Sequence, residues 1–137
     1  MLSDQQKEFL NENRFCVVSY GRKSGPPAMS PVYYVLDGDD ILISTQTTKD
    51  KGKVFANERD ISLCILAETH PTPRYLTIYG KAKTEPEGAA DLLVQVVGKA
   101  QGNPLPDAMR PAMEAKAQSE GRVVLRVRPE KTVGMVF

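Results

Sequence analysis

Ser30-Pro31-Val32-Tyr33-Tyr34-Val35-Leu36, Asp37-Gly38-Asp39-Asp40, Ile41-Leu42-Ile43-Ser44-Thr45: two β-branched and aromatic runs flank an acidic turn. The pattern predicts a strand over Ala28–Leu36, a hairpin turn over Asp37–Asp40 and a returning strand over Ile41–Thr45. The second strand delivers two hydroxyls, Ser44 and Thr45, toward Lys49, Lys51 and Lys53. Hydroxyl donors, backbone N–H groups at a helix start and positive charge together form a phosphate cradle. The same lysines also fit the solvated face of a helix, which is what most charge runs are.

Outward from the hairpin, strands dominate. Phe15–Tyr20 reads as a strand, Gly21–Pro27 as a loop, and Ile61–Ala67 as an apolar strand buried on both faces. Tyr75–Ala82 and Arg122–Arg128 are further strands, and Thr132–Phe137 closes the chain with a short one. Helices are inserted among them. Leu2–Asn13 carries a capping box in Ser3 and Gln6 and an apolar face in Phe9 and Leu10. Thr48–Asn57 predicts a short helix with Val54 and Phe55 toward the core. Thr84-Glu85-Pro86-Glu87 reads as a cap for a helix through Leu92, Leu93, Val96 and Val97. Gly98–Pro106 is a loop, and Arg110–Gln118 a last helix. Six or seven strands in hairpin-like succession, with irregularly placed helices, predict a mainly β antiparallel barrel.

At 137 residues and a net charge of +1, the chain fits one domain, residues 1–137, with a core that needs no disulfide or metal. That charge disfavours a general nucleic-acid binder. No apolar run reaches the ~20 residues of a membrane span. Met1–Gln6 shows no signal-peptide pattern, and the expectation is a cytoplasmic protein. Cys16 and Cys64 lie in strand-like runs and are expected to be buried reduced thiols. The single histidine, His70, cannot gather a metal site alone and is expected to be structural or superficial, with a substrate contact as the alternative. No Gly-x-Ser-x-Gly elbow occurs, and no acid–base dyad is visible. Of Tyr33 and Tyr34, only one can line a given pocket, because neighbours on a strand face opposite sides. Arg74-Tyr75 at a strand lip suits an aromatic or anionic ligand, or simply a strand terminus.

In order, Phe15–Tyr20, Met29-Ser30-Pro31-Val32-Tyr33-Tyr34, Ile43-Ser44-Thr45 leading to Lys51, Ile61–Leu66, Pro73–Ala82 and Gly121–Val127 resemble one family. It is the flavin- and deazaflavin-binding split β-barrel family related to pyridoxamine 5′-phosphate oxidase, most nearly its small F420-dependent oxidoreductase branch. The resemblance implies an FMN-binding-type split barrel, and a homodimer with two equivalent sites at the subunit interface. It places Ser30, Pro31, Val32 and Tyr33 along the cofactor ring and Ser44, Thr45, Lys49 and Lys51 on its phosphate. Arg74 and Tyr75 would approach from the other subunit. The chain departs from the pattern at Val54–Arg59, where relatives read Asn-Leu-Arg-Arg-Asp-Pro. The implied activity is hydride transfer between reduced F420 and a small conjugated substrate. FMN-dependent oxidoreduction and non-catalytic binding of a flavin or tetrapyrrole are the alternatives. In each case the cofactor carries the chemistry, so a chain without an acid–base dyad can still be an enzyme.

Overall fold

The computed structural model describes residues 1–68 and 73–137. Helix α1 (Asp4–Glu12) begins as its capping box predicts: Ser3 Oγ accepts from Gln6 N at 3.1 Å, and Gln6 Oε1 accepts from Ser3 N at 3.0 Å. Phe9 and Leu10 bury its apolar face. Among the described residues seven strands follow: β1 (Phe15–Tyr20), β2 (Ala28–Tyr33), β3 (Val35–Asp37), β4 (Asp40–Gln46), β5 (Arg59–Leu66), β6 (Tyr75–Glu85) and β7 (Arg122–Met135). They form one antiparallel sheet in the order β2-β1-β5-β6-β7-β4-β3.

That order forces the sheet to curl. β2 and β3 lie at opposite edges, yet only Tyr34 separates them in the chain. The two edges must therefore meet, and the mainly β antiparallel barrel expected from the strand pattern takes the form of a half-barrel. The continuous strand expected over Ala28–Leu36 is broken at Tyr34, where the chain leaves one ladder for the other. Tyr34 N donates to Arg14 O at 3.2 Å, and its phenol donates to Leu10 O at 2.7 Å. Lys99 Nζ stands 3.8 Å from the centre of its ring and donates to both Leu10 O and Tyr34 O at 3.1 Å. These contacts satisfy the backbone carbonyls exposed where β2 ends and α1 terminates.

Inside the curl, Val18, Ile43, Leu63, Ile65, Ile78 and Leu125 form the core with α1 and Phe55. A smaller cluster lies outside it: Val35, Leu42 and Val124 on the outer face of β3, β4 and β7 are covered by Leu92 and Val96 of helix α3 (Ala89–Gln101). Helix α4 (Arg110–Ser119) packs against α3. The acidic turn is tied down by Arg126 on β7, which bonds Asp37 and Asp40 at 3.0 Å and Glu85 at 2.8 Å.

Three boundaries differ from expectation. Thr84 does not cap a helix: β6 stays paired to β7 through Glu85, Thr84 N donates to Phe55 O at 2.8 Å, and α3 begins only after Gly88. The helix expected over Thr48–Asn57 shortens to α2 (Asp50–Val54), because Phe55 is drawn fully into the core and its carbonyl is held by Thr84. The two C-terminal strands are one, β7, whose register shifts opposite Tyr79 and Gly80. A β-carbon on Gly80 would stand 2.1 Å from Arg128 O, so this crossing requires glycine.

Buried titratable groups predict a particular stability profile. Burial pulls the Lys99 ammonium down to about 8 from 10.5, so between those values the unfolded chain holds more protons and stability rises with pH. Burial pushes the Cys16 thiol up to about 12 from 9.0, so above pH 9.0 the folded state holds the extra proton and stability falls. Urea unfolding is expected to show stability rising from about pH 8 to 9, then levelling. It should decline above pH 10, where Tyr20 and Tyr34, also raised by burial, join. In Cys16→Ala the rise should extend toward pH 10. A monotonic fall from neutrality in the parent protein would contradict this assignment.

Candidate cofactor site

The seam of the half-barrel gathers the polar residues. At the end of β4 the chain turns tightly, with Thr47 N donating to Gly121 O and Lys49 N to Gln46 O, each at 3.0 Å. α2 then packs against the strand it has just left. A β-carbon on Gly52 would lie 2.1 Å from Gln46 O, so only glycine permits the approach. Two contacts tie α2 to the other sheet edge: Tyr20 OH donates to Asp50, and Lys51 Nζ donates to Ser30 Oγ at 3.0 Å. Burial, with the Asp50 carboxylate second, pushes the Tyr20 phenol up to about 12, so it remains a neutral donor through the physiological range.

The structure brings Lys51 and Ser30 together but separates Ser44 from Thr45. Thr45 points inward and is 4% exposed, whereas Ser44 lies on the outer face. Ser44 Oγ accepts from Arg122 Nη1 at 3.5 Å. Arg122 also pairs with Glu120 at 3.1 Å, and Gln46 Nε2 donates to the same carboxylate oxygen at 3.1 Å. Among the described residues, the buried Arg122 Nε has no hydrogen-bond partner. Sequence reasoning missed Arg122, which reads there as a charge punctuating a valine-rich strand. Only the β4–β7 register, which sets Gln46 opposite Arg122, reveals its place. Lys49 and Lys53 are exposed and flank Lys51.

On β2 the alternation is clean. Ser30 and Val32 face inward, and Pro31 and Tyr33 outward. Tyr33 meets Phe15 edge to face at 6.0 Å. Tyr34, fully buried, is the core partner of the pair. Tyr75 also faces outward, between Leu66 and Met135. Arg74 turns to α1: its guanidinium lies 5.5 Å from the centre of the Phe9 ring, 3.6 Å from Glu12 Oε2 and 3.4 Å from Val136 O.

These outward residues belong to a broad apolar face. The expectation that Ile61–Ala67 is buried on both sides is corrected here. Ile61, Leu63 and Ile65 are buried, but Ser62 and Cys64 are only half-buried and Leu66 is 66% exposed. Val123–Val127 differs because α3 covers its outer side. None of the described helices does so for β1, β2, β5 and β6, where Met29 (71% exposed), Tyr33, Leu66 and Tyr79 meet solvent. Large apolar side chains exposed along one face of a sheet fit an interaction or ligand surface.

Cys16 and Cys64 are both free thiols, on opposite faces of the sheet. His70 lies outside the described residues, among which no cluster of metal-ligating side chains occurs. Nor is any helix among them long and apolar enough to cross a membrane. Two concavities, of about 700 and 350 Å³, lie elsewhere and contain none of the ten residues singled out in the sequence.

Comparison with known proteins agrees with this architecture. No curated protein matches the chain. Among solved structures, conserved hypothetical protein Rv2991 from Mycobacterium tuberculosis superposes with a TM-score of 0.80 at 21% identity, over 98% of this chain and 85% of that one. An F420 reductase gives 0.72 at 19% identity, over 96% and 98%. The heme storage protein HutZ from Vibrio cholerae gives 0.67 at 15%, over 94% and 91%. At such identities the likeness is one of fold. The family model described as pyridoxamine 5′-phosphate oxidase matches residues 2–135, and the chain, a split barrel in sequence pattern and in topology, belongs to that family.

Proposed function

We propose that this chain is the protomer of a homodimeric F420-dependent oxidoreductase that transfers a hydride between the reduced deazaflavin and a small conjugated substrate. Strand β2 carries the reading. On its inner side Ser30 positions the Lys51 ammonium, and on its outer side Pro31 and Tyr33 form a flat apolar edge. An anionic tail and a planar ring could thus be held by one strand. The donor set fits the cofactor: Lys51 uses one of its three N–H groups on Ser30, and Arg122 Nε lacks a partner among the described residues.

When bound, F420 supplies the hydride; the protein supplies position and a dry surface. Lys51 would neutralise the phosphate from the seam and Lys49 would add exposed charge, while Arg122, oriented by Ser44 on the outer face, would supply a further cation there. Thr45, facing inward, braces the strand end. Pro31 and Tyr33 would set the plane of the ring from the outer side, while Val32 packs inward against the core. A second copy, docked on the bare outer face, would exclude water and bring its own Tyr75 toward the ring, while Arg74 acts by anchoring the start of β6 to α1. An F420 reductase stands among the fold relatives, beside flavin- and heme-binding proteins, and motivates the choice of F420.

Protein produced in a host lacking F420 is expected to purify colourless, to sediment as a dimer at micromolar concentration, and to bind F420 more tightly than FMN. Tight stoichiometric FMN in the purified protein would reverse the cofactor assignment. A monomer would remove the shared site.

A further inference from the structure

Tyr20, Ser30, Asp50 and Lys51 meet across the seam as bonded pairs. Tyr20 on β1 and Ser30 on β2 project from the inner face of one ribbon, opposite Ala28 and Val18 in its register. Asp50 and Lys51 are consecutive at the start of α2. The Tyr20 phenol donates to the Asp50 carboxylate, and Lys51 Nζ donates to Ser30 Oγ at 3.0 Å. Tyr20 reaches the far end of the helix as well: its ring meets Phe55 edge to face at 5.2 Å. Phe55 is itself held, its carbonyl accepting from Thr84 N at 2.8 Å and from Thr84 Oγ1 at 3.3 Å. Arg22 and Arg59 also stand near the phenol, but their guanidinium groups are bonded to Pro26 O and Gly21 O. Asp50, the carboxylate of α2, is thus engaged by a neutral donor rather than by a lysine. Lys51 keeps two of its three N–H groups after bonding Ser30.

We infer that Tyr20 is the positioning residue of the phosphate clamp: bonded to Asp50 and packed on Phe55, it docks both ends of α2 on the β1–β2 ribbon and so sets the Lys51 ammonium at the seam. The inference rests on the cofactor reading above for the identity of the anion, but not for the geometry. At 5% exposure Tyr20 has little surface to offer a ligand, so it acts through the helix. A helix of 5 residues has scant stability of its own and takes its place from what it packs against. An ammonium already fixed in place loses little freedom when an anion arrives, which is how the phenol raises affinity from a distance.

Tyr20→Phe removes the hydroxyl and keeps the ring on Phe55. Its affinity for F420 is measured alongside the nuclear magnetic resonance signal of the Lys51 side-chain ammonium, with and without inorganic phosphate. F420 affinity should fall about tenfold, and the Lys51 signal should broaden and respond less to phosphate. Asp50→Asn, which still accepts from the phenol, should stay within about threefold of the parent, whereas Asp50→Ala should match Tyr20→Phe. Tyr20→Phe combined with Lys51→Ala should bind no more weakly than Lys51→Ala alone, because Tyr20 acts through that lysine. Additive losses in the double variant would overturn the inference, as would an Asp50→Asn protein as weak as Asp50→Ala. An unchanged Lys51 signal in Tyr20→Phe would overturn it too, whether or not the protein binds F420. If the parent binds neither F420 nor FMN while Tyr20→Phe still disturbs the Lys51 signal, the cofactor reading falls and the positioning role of Tyr20 stands.

Discussion

Gly52→Ala is expected to destabilise the protein by about 2–3 kcal/mol, the scale of overpacking against a surface that cannot yield. Alanine favours helix over glycine by about 1 kcal/mol, which taken alone would stabilise α2. The contact decides the sign. The new β-carbon would meet Gln46 O at 2.1 Å, Gln46 C at 2.8 Å and Thr47 Cα at 2.9 Å, all backbone atoms. Helix α2 must then lift from the end of β4, and with it go the Lys51–Ser30 and Asp50–Tyr20 bonds across the seam. For a chain of this length the loss corresponds to roughly a 9 °C drop in Tm. Calorimetry on Gly52→Ala and Gly21→Ala checks it. Gly21 has ordinary φ, and a methyl group there would find nothing within 4 Å, so its substitution should be nearly neutral. Equal melting of the two variants would contradict the packing described for α2.

Lys51→Ala is expected to weaken F420 binding about 10- to 150-fold, the equivalent of the ~1.5–3 kcal/mol of a hydrogen bond to a charged group. Lys51 is half-buried and fixed by Ser30, so little flexibility remains to be lost when an anion arrives. Lys53, exposed two positions along the helix, should matter far less. The seam bond also gives Lys51 a modest part in folding, about 0.5–1 kcal/mol. Affinity measured by fluorescence titration of wild type, Lys51→Ala and Lys53→Ala separates the two lysines. Indistinguishable affinities would return all three lysines of this segment to the role of a solvated surface.

Much of the fold was legible because it rests on local chemistry. The Ser3–Gln6 box set the start of α1, the Asp37–Asp40 turn joined two strands, and alternation assigned Tyr33 and Tyr34 to different faces. What was not legible depends on partners distant in the chain. Thr84 has the composition of a helix cap, but pairing with β7 and the Phe55 carbonyl keep it in a strand. The β2–β3 break follows from sheet closure, which no window of neighbouring residues encodes. The site divides in the same way. Lys51 and Ser30 were both recognisable as polar candidates, while their direct bond needed the seam. Ser44 and Thr45 looked like a pair of hydroxyls, yet strand geometry sets them on opposite faces. Gly52 and Arg122 were invisible as site residues, one hidden between lysines and the other among valines.

Hydride transfer by the protein can be measured directly. Reduced F420 is mixed anaerobically with the protein and a panel of conjugated acceptors, and the absorbance of the oxidised deazaflavin is followed. Its return is expected only when protein and a suitable acceptor are both present, at a rate that falls in Lys51→Ala under subsaturating cofactor. Saturable F420 binding without acceptor-dependent oxidation across the panel would contradict it and assign the protein to ligand storage.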